Sequence, residues 1–304
     1  MTYDLIIIGG ASAGLTSAIY SARKKLNTLV LTEKIGGQSL LTDNIENYPG
    51  FKIISGQDLV GKMEDQVKSL GVEIKEGINV KGIAKKDSVF EINAGNGEIF
   101  QAKSIIIAAG KRPRRLNAPG EKEFTGKGVS YCSTCDAPLF AGKNVAVVGG
   151  GNAGLESAVD LAGYADKIYV LEFAEKISGD ESTQEKLRET KKVEFIANAE
   201  IKEIKGNVFV ENLIYEDRVS KEEKELKVGG VFVNIGQIPN TDFVKGFVEL
   251  NKWGEIVIDH KTSQTSVEGI FAAGDATDTP YKQCVIAAGE GAKAALSAYN
   301  YLIK

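Results

Sequence analysis

Apolar and polar positions change period several times along the chain, and each change marks an element. Residues 4–8 form a short continuous apolar run that meets Gly9-Gly10-Ala11-Ser12-Ala13-Gly14. Beyond the glycines, Leu15, Ala18, Ile19, Ala22 and Leu26 recur at helical spacing. A second short run, Thr28 to Leu31, ends at Thr32-Glu33. These periods predict a buried strand, a turn, a helix and a second buried strand. Positions 56–70 carry another helical pattern (Leu59, Val60, Met63, Val67, Leu70). From about 72 to 107 the apolar positions alternate in short segments such as Val89-Phe90-Glu91-Ile92, which predicts a β-meander, with Ser104 to Ile107 as a further buried strand. Gly36-Gly37-Gln38 and Asn44 to Phe51 read as loop, with turn chemistry at Pro49-Gly50.

The opening pattern then repeats. Val145 to Val148 meets Gly149-Gly150-Gly151-Asn152-Ala153-Gly154, followed by Leu155, Ala158, Val159 and Ala162 at helical spacing. Ile168 to Leu171 forms the next run and ends at Glu172, so the chain contains a duplicated unit. Alternating segments follow again from about 192 to 235. Gly269 to Asp275 reads as a strand running into a glycine and an acid, and Val285 to about Ile303 as an alanine-rich helix. Proline, glycine and basic residues crowd Lys111 to Gly120, and turn residues crowd Gly236 to Asn240; both read as crossings between domains. The expected fold is α/β, with two dinucleotide-binding, Rossmann-like, three-layer domains. Residues 1–114 and 243–304 form the first, and 115–242 form the second, inserted into it.

Composition changes this picture little. The 304 residues are 43% hydrophobic and 26% charged, ordinary for a globular protein. A net charge of -4 argues against a nucleic-acid-binding surface. The Lys111 to Arg115 charges read as a solvated linker face, with docking of an acidic partner the lesser reading. Leu5 to Ile8 is too short for a signal peptide or a membrane span. Three cysteines indicate a reducing compartment, so a cytoplasmic protein with no membrane partner is expected.

The candidate chemistry lies in three places. Gly9 suits a tight turn and Gly14 close packing of helix on strand, so the helix N-terminus faces a pyrophosphate. Glu33 stands where a carboxylate accepts from adenosine ribose hydroxyls. Ala11 occupies the middle glycine position, where its methyl is expected to be tolerated. In the second cluster Gly149, Gly151 and Gly154 are all present, with Glu172 as the ribose acid. Cys132-Ser133-Thr134-Cys135-Asp136 has two thiols at the spacing of a redox disulfide and an acid beside them. The same spacing serves as half of a zinc site, but the only further cysteine and histidine are Cys284 and His260. No metal is expected. Cys284 reads as a packing residue and His260 as a surface residue.

Gly36-Gly37-Gln38, Ile45 to Phe51, Cys132 to Asp136, Gly149 to Gly154, Gly274-Asp275 and Tyr281-Lys282-Gln283 together resemble the low-molecular-weight thioredoxin reductases over the whole chain. Val170 to Ala174 and Phe271 to Leu296 resemble most the reductase portion of the alkyl hydroperoxide reductase flavoprotein. The resemblance implies FAD in the split domain, a nicotinamide nucleotide in the inserted one, a homodimer and a domain rotation during turnover. It assigns Gly9, Gly14, Glu33, Gln38, Asn47, Gly110, Gly274, Asp275 and Gln283 to FAD. Gly149, Gly151, Asn152, Gly154 and Glu172 are assigned to the nicotinamide nucleotide. It also implies that Cys135 faces the flavin, Cys132 attacks a partner's disulfide and Asp136 is the general acid. Ser133 replaces the alanine commonest in that family, and its hydroxyl is expected to donate to a thiolate. The NADPH-using members carry His-Arg-Arg where this chain has Phe173-Ala174 after Glu172. A carboxylate repels a 2′-phosphate, so NADH is expected over NADPH. The chain opens at a strand, so that flavoprotein's tandem thioredoxin-fold region is expected to be absent. Electrons are then expected to leave to a separate thioredoxin- or glutaredoxin-like protein. Two other readings are a relay fed by another donor such as ferredoxin, and a flavin redox sensor without turnover.

Overall fold

Continuous apolar runs in the sequence become the central strands of two parallel sheets, because a strand covered on both faces has no polar side. The computed structural model describes residues 1–41 and 45–304; Asn44, the start of one expected loop, lies outside the described residues. β1 (Thr2–Ile8) leads into α1 (Ser12–Arg23) and β2 (Thr28–Leu31), which pairs parallel to β1. A 3-10 turn at Gly37–Leu41 stands where loop was expected. α2 (Gly56–Ser69) begins at Ser55, whose Oγ accepts from Asp58 N at 3.0 Å, an N-cap, and buries Leu59, Val60, Met63 and Val67.

The expected meander is shorter than its alternating pattern. β3 (Glu73–Lys75) pairs parallel to β2 and extends the parallel sheet. β4 (Val80–Lys86), β5 (Val89–Ala94) and β6 (Ile99–Ile107) form the meander. Ser104 to Ile107 is the end of β6 and not a separate strand. β1 runs parallel along β6 from Gln101 to Ile107, with Leu5 opposite Ser104 and Ile8 opposite Ile107. On the other edge of β6 the outer half pairs antiparallel to β5 and the inner half parallel to a late strand at Ile270–Ala272. Burial alternates over the first half and is continuous from Ser104 on, as those two environments require.

β7 (Lys111–Pro113) spans the crossing into the second unit, which begins at Pro113. There β8 (Val129–Ser130), α3 (Ser133–Asp136), β9 (Asn144–Val148), α4 (Asn152–Ala162), β10 (Lys167–Leu171), α5 (Glu181–Glu189) and β11 (Val193–Ile196) follow. β12 (Ala199–Gly206), β13 (Val210–Asp217) and β14 (Glu223–Lys227) form a separate antiparallel sheet. β15 (Gly230–Val233) returns to the parallel sheet, of order β11-β10-β9-β15-β8. β16 (Gln237–Pro239) pairs with β7, and β17 (Ile270–Ala272) and α6 (Cys284–Leu302) complete the first unit. α5 was not expected: Leu187 is its only aliphatic residue, and the other buried position is Gln184, which donates to Gly179 O at 2.8 Å.

The chain divides into Met1–Leu40, Ile45–Arg112 and Ile238–Lys304 on one side and Pro113–Gln237 on the other. These crossings fall a few residues before 114–115 and 242–243, at the point where β7 and β16 pair. Each unit has three layers. In the first, Leu5 and Ile7 of β1 face the helical core, while Ile6 and Ile8 face the core beneath the meander. In the second, Val145 and Val147 face α4, and Ala146 and Val148 face the core shared with the antiparallel sheet. The two-residue period of β1 and β9 assigns the layers.

Candidate active site

The two glycine turns have nearly the same backbone geometry. Gly9 has φ +121° and Gly149 φ +118°, conformations that favour glycine. A Cβ on Gly14 would lie 1.8 Å from Gly9 O, and one on Gly154 would lie 1.8 Å from Gly149 O. Cβ atoms on Gly9 and Gly149 would meet Ala108 O at 2.1 Å and Asn234 O at 2.3 Å. No side chain caps the N-terminus of α1, at Ala11, or of α4, at Gly151. Beside the first turn Ser12 Oγ is buried without a partner, and beside the second Asn234 Nδ2 is likewise unpartnered. Uncapped helix ends with buried orphan polar atoms are cradles that a dinucleotide's pyrophosphate fits. Ala11 is extended at the helix N-cap.

In the first unit, α6 lies against the start of α1. A Cβ on Gly291 would come within 2.2 Å of Ala13 O, and one on Gly274 within 3.0 Å of Ala13 Cβ. This brings Gly274 and Asp275 to the first glycine turn. Gly274 N donates to Glu290 Oε2 at 2.8 Å, and Thr279 Oγ1 donates to Glu290 Oε1 at 2.5 Å. Gln283 is the N-cap residue of α6, and its Oε1 accepts from Asn47 Nδ2 at 3.0 Å. Gln38 Nε2 donates to Lys111 O at 2.6 Å, and Gly110 sits at φ +64°. Glu33 lies two residues past β2 and is exposed.

The same unit holds a charged cluster that the sequence pattern leaves unassigned. Lys111 Nζ lies 2.5 Å from Glu255 Oε1, Lys282 Nζ lies 3.5 Å from the same oxygen, and Lys282 donates to Thr277 O at 2.6 Å. Burial pushes the Asp275 carboxyl up, an effect that Lys282 and Lys111 oppose. Burial pulls the Lys282 ammonium down and Lys111 adds to it, with Glu255 and Asp275 opposing. Burial works against ionisation of Glu255, but hydrogen bonds from Lys111 and Asn251 prevail and hold it low. Cys284 is half-buried 3.3 Å from Ser39 Oγ, and His260 is exposed.

In the second unit, Glu172 is pinned by backbone amides: Gly150 N donates to Oε2 at 2.6 Å and Ala174 N to Oε1 at 3.0 Å. Asn152 Oδ1 accepts from Asp180 N at 2.8 Å. The Arg218 guanidinium lies 3.8 Å over the Phe173 ring and donates to Phe173 O at 2.9 Å. Nothing in the sequence pattern marks Arg218, which arrives from the far end of β13.

Cys132 and Cys135 form a disulfide at the start of α3. Ser130 Oγ accepts from Cys132 N at 3.1 Å and donates to Asp136 Oδ2 at 2.6 Å, which ties the acid to the turn. Upstream, Glu121 accepts from Leu116 N, Asn117 N and the Tyr131 hydroxyl. The expectation for Ser133 is corrected: its hydroxyl donates to Asp160 Oδ2 at 2.8 Å and not to a cysteine. Among the described residues, no group of three or more His, Cys, Asp or Glu is placed to hold a metal ion. Nor is any of their helices long and apolar enough to cross a membrane.

Residues 3–291 match the family model described as pyridine nucleotide-disulphide oxidoreductase. The chain is 46% identical over 302 residues to a Bacillus subtilis protein named NADH dehydrogenase, covering 99% of this chain and 59% of that protein. It is 45% identical over 306 residues to the F subunit of Escherichia coli alkyl hydroperoxide reductase, covering 99% of this chain and 58% of that one. The chain thus spans less than two thirds of these relatives. Thioredoxin reductase from Streptococcus pyogenes superposes with a TM-score of 0.91 at 35% identity, covering 99% of this chain and 98% of that one.

Proposed function

The chain belongs to the pyridine nucleotide-disulphide oxidoreductase family, and from that premise we propose that it is an NADH-dependent flavoprotein disulfide reductase. Its electrons would run from NADH via FAD and the Cys132–Cys135 disulfide to a small thioredoxin- or glutaredoxin-like protein. One observation carries this reading. A closed disulfide with an acid tied to it occupies the same unit as an intact glycine turn and its pinned acid.

FAD and the nicotinamide nucleotide supply, when bound, the hydride chemistry that side chains lack. The chain's own residues hold them and manage the thiols. Gly9 and Gly14 admit the FAD pyrophosphate, Glu33 takes its ribose, and Gln38, Asn47, Gly110, Gly274, Asp275 and Gln283 line the rest. Gln283 is the N-cap residue of a 19-residue helix, and the positive end of that dipole would favour a negatively charged flavin held there. Gly149, Gly151, Asn152 and Gly154 cradle the nicotinamide nucleotide. Once the pair is reduced, Cys132 attacks the partner's disulfide and makes a mixed disulfide. Cys135 then attacks Cys132 Sγ and releases the partner as a dithiol. Asp136, held by Ser130, delivers the proton to the leaving thiolate.

The NADH preference rests on Glu172. Two amides fix its carboxylate, and on this reading that carboxylate takes the ribose, so that a 2′-phosphate would meet a charge unable to swing away. The nearby cation, Arg218, is already engaged with Phe173. A homodimer working in the cytoplasm completes the proposal. The test is anaerobic: flavin absorbance is followed on adding NADH and NADPH separately. Fast bleaching by NADH alone is expected. Equal bleaching by both removes Glu172 as selector, and bleaching by neither moves the electron donor to a ferredoxin-type protein.

A further inference from the structure

The two residues between the cysteines are both hydroxylic, and both bind one carboxylate. Ser133 Oγ donates to Asp160 Oδ2 at 2.8 Å, and Thr134 Oγ1 donates to the same oxygen at 3.1 Å. Asp160 lies on α4, the helix that starts at the second glycine turn. α3 is a single turn of four residues, too short to hold itself. Its N-cap residue, Cys132, makes no capping bond of its own. The turn is therefore held from outside, by Ser130 at its start and by Asp160 across its middle.

We propose that Asp160 is a positioning residue for the redox turn, anchoring it through Ser133 and Thr134 and keeping the Cys132–Cys135 dithiol strongly reducing. Two effects act together. Both hydroxyls are committed to Asp160, so neither donates to a thiolate formed beside it. The Asp160 carboxylate is held against the two residues that separate the sulfurs, and a nearby anion disfavours a thiolate. A reduced form deprived of thiolate stabilisation gives up its electrons more readily. Reduction of the pair breaks the S–S bond and takes up two electrons and two protons to give two thiols. NADH supplies the two electrons and one proton as hydride, and solvent the second proton.

The inference rests on the redox reading of this pair, and the test separates the two. The midpoint potential of Cys132–Cys135 is measured in dithiol/disulfide buffers with no nucleotide present, for wild type and Asp160→Asn. The asparagine keeps an acceptor oxygen and removes the charge. The expected result is a potential raised by a threefold to tenfold change in the equilibrium, about 15 to 30 mV. A merely structural role would lower the melting temperature and leave the potential where it was, and a potential that does not rise overturns the proposal. If Asp160→Asn does not fold, amide hydrogen exchange in the Ser133→Ala/Thr134→Val double variant decides. Residues 133–136 are expected to exchange at least tenfold faster while α4 stays protected, and unchanged exchange overturns the proposal. A pair that obeys Asp160 but never receives electrons from NADH contradicts the function alone.

Discussion

The two glycine turns are close copies in backbone and unlike at the acid that follows them. In both, the last glycine presses on the carbonyl of the first, leaving no room for a side chain. Glu33 is exposed just past β2, whereas Glu172 is locked to Gly150 and Ala174. On the proposed reading, the pyrophosphate cradle is built from backbone alone and is shared by the two strand-turn-helix units. The adenosine end would be built from side chains, and those differ between the units. Among the described residues, only the second unit carries a disulfide turn, which α4 and Ser130 hold in place.

The largest expected effect falls on what the first unit lacks. Cys132→Ser should abolish reduction of a thiol carrier while NADH still bleaches the flavin, and Cys135→Ser should stop electrons at the flavin. Stopped-flow absorbance with carrier turnover reads both; a Cys132→Ser enzyme that reduces carrier at the wild-type rate exchanges the two roles. Next comes the shared cradle. Gly14→Ala should cost FAD retention and Gly154→Ala nucleotide affinity, each by roughly 10- to 100-fold, since a methyl there overlaps a carbonyl oxygen. Flavin content after purification and NAD+ calorimetry measure them, and a Gly154→Ala protein that binds NAD+ normally breaks the likeness of the two turns.

A smaller effect probes the acids. Glu172→Gln should lower kcat/KM for NADH and raise it for NADPH, each by about tenfold, by removing one charge from the ribose position. Glu33→Gln should leave the NADH/NADPH ratio unchanged, and a change there would mean the two acids are not specialised. The smallest effect concerns Asp275, whose folded carboxyl is raised by burial above the ordinary 3.8. A raised carboxyl binds its proton more tightly folded than unfolded, so its ionisation weakens the folded state at neutral pH and not below about pH 3.8. Asp275→Asn should therefore raise the melting temperature of flavin-free protein by about 1–4 °C at pH 7, with the gain vanishing on acidification. Calorimetry across pH checks the sign.

The parallel strands were legible in the sequence because burial on both faces demands continuous apolar runs, as at Leu5 to Ile8 and Val145 to Val148. The boundary inside β6 was not, because one strand serves two environments and the pattern change at Ser104 looks like a new element. α5 escaped notice because it buries a glutamine and a single leucine. Glycines and cysteines announce themselves by type and spacing. Asp160, Glu290 and Arg218 do not, because each reaches its partners from a different element: Asp160 on α4 meets Ser133 and Thr134, and Arg218 after β13 meets Phe173. Glu290 left one trace, an acid inside the alanine-rich α6 that has to be buried and paired.

The most direct test of the central claim is an anaerobic titration of the flavin-loaded protein with NADH, counting equivalents and then thiols. The account predicts that wild type consumes one more equivalent than Cys135→Ser before the flavin is fully bleached, with two new thiols at Cys132 and Cys135. Equal consumption by the two proteins, with the disulfide still closed, would contradict it.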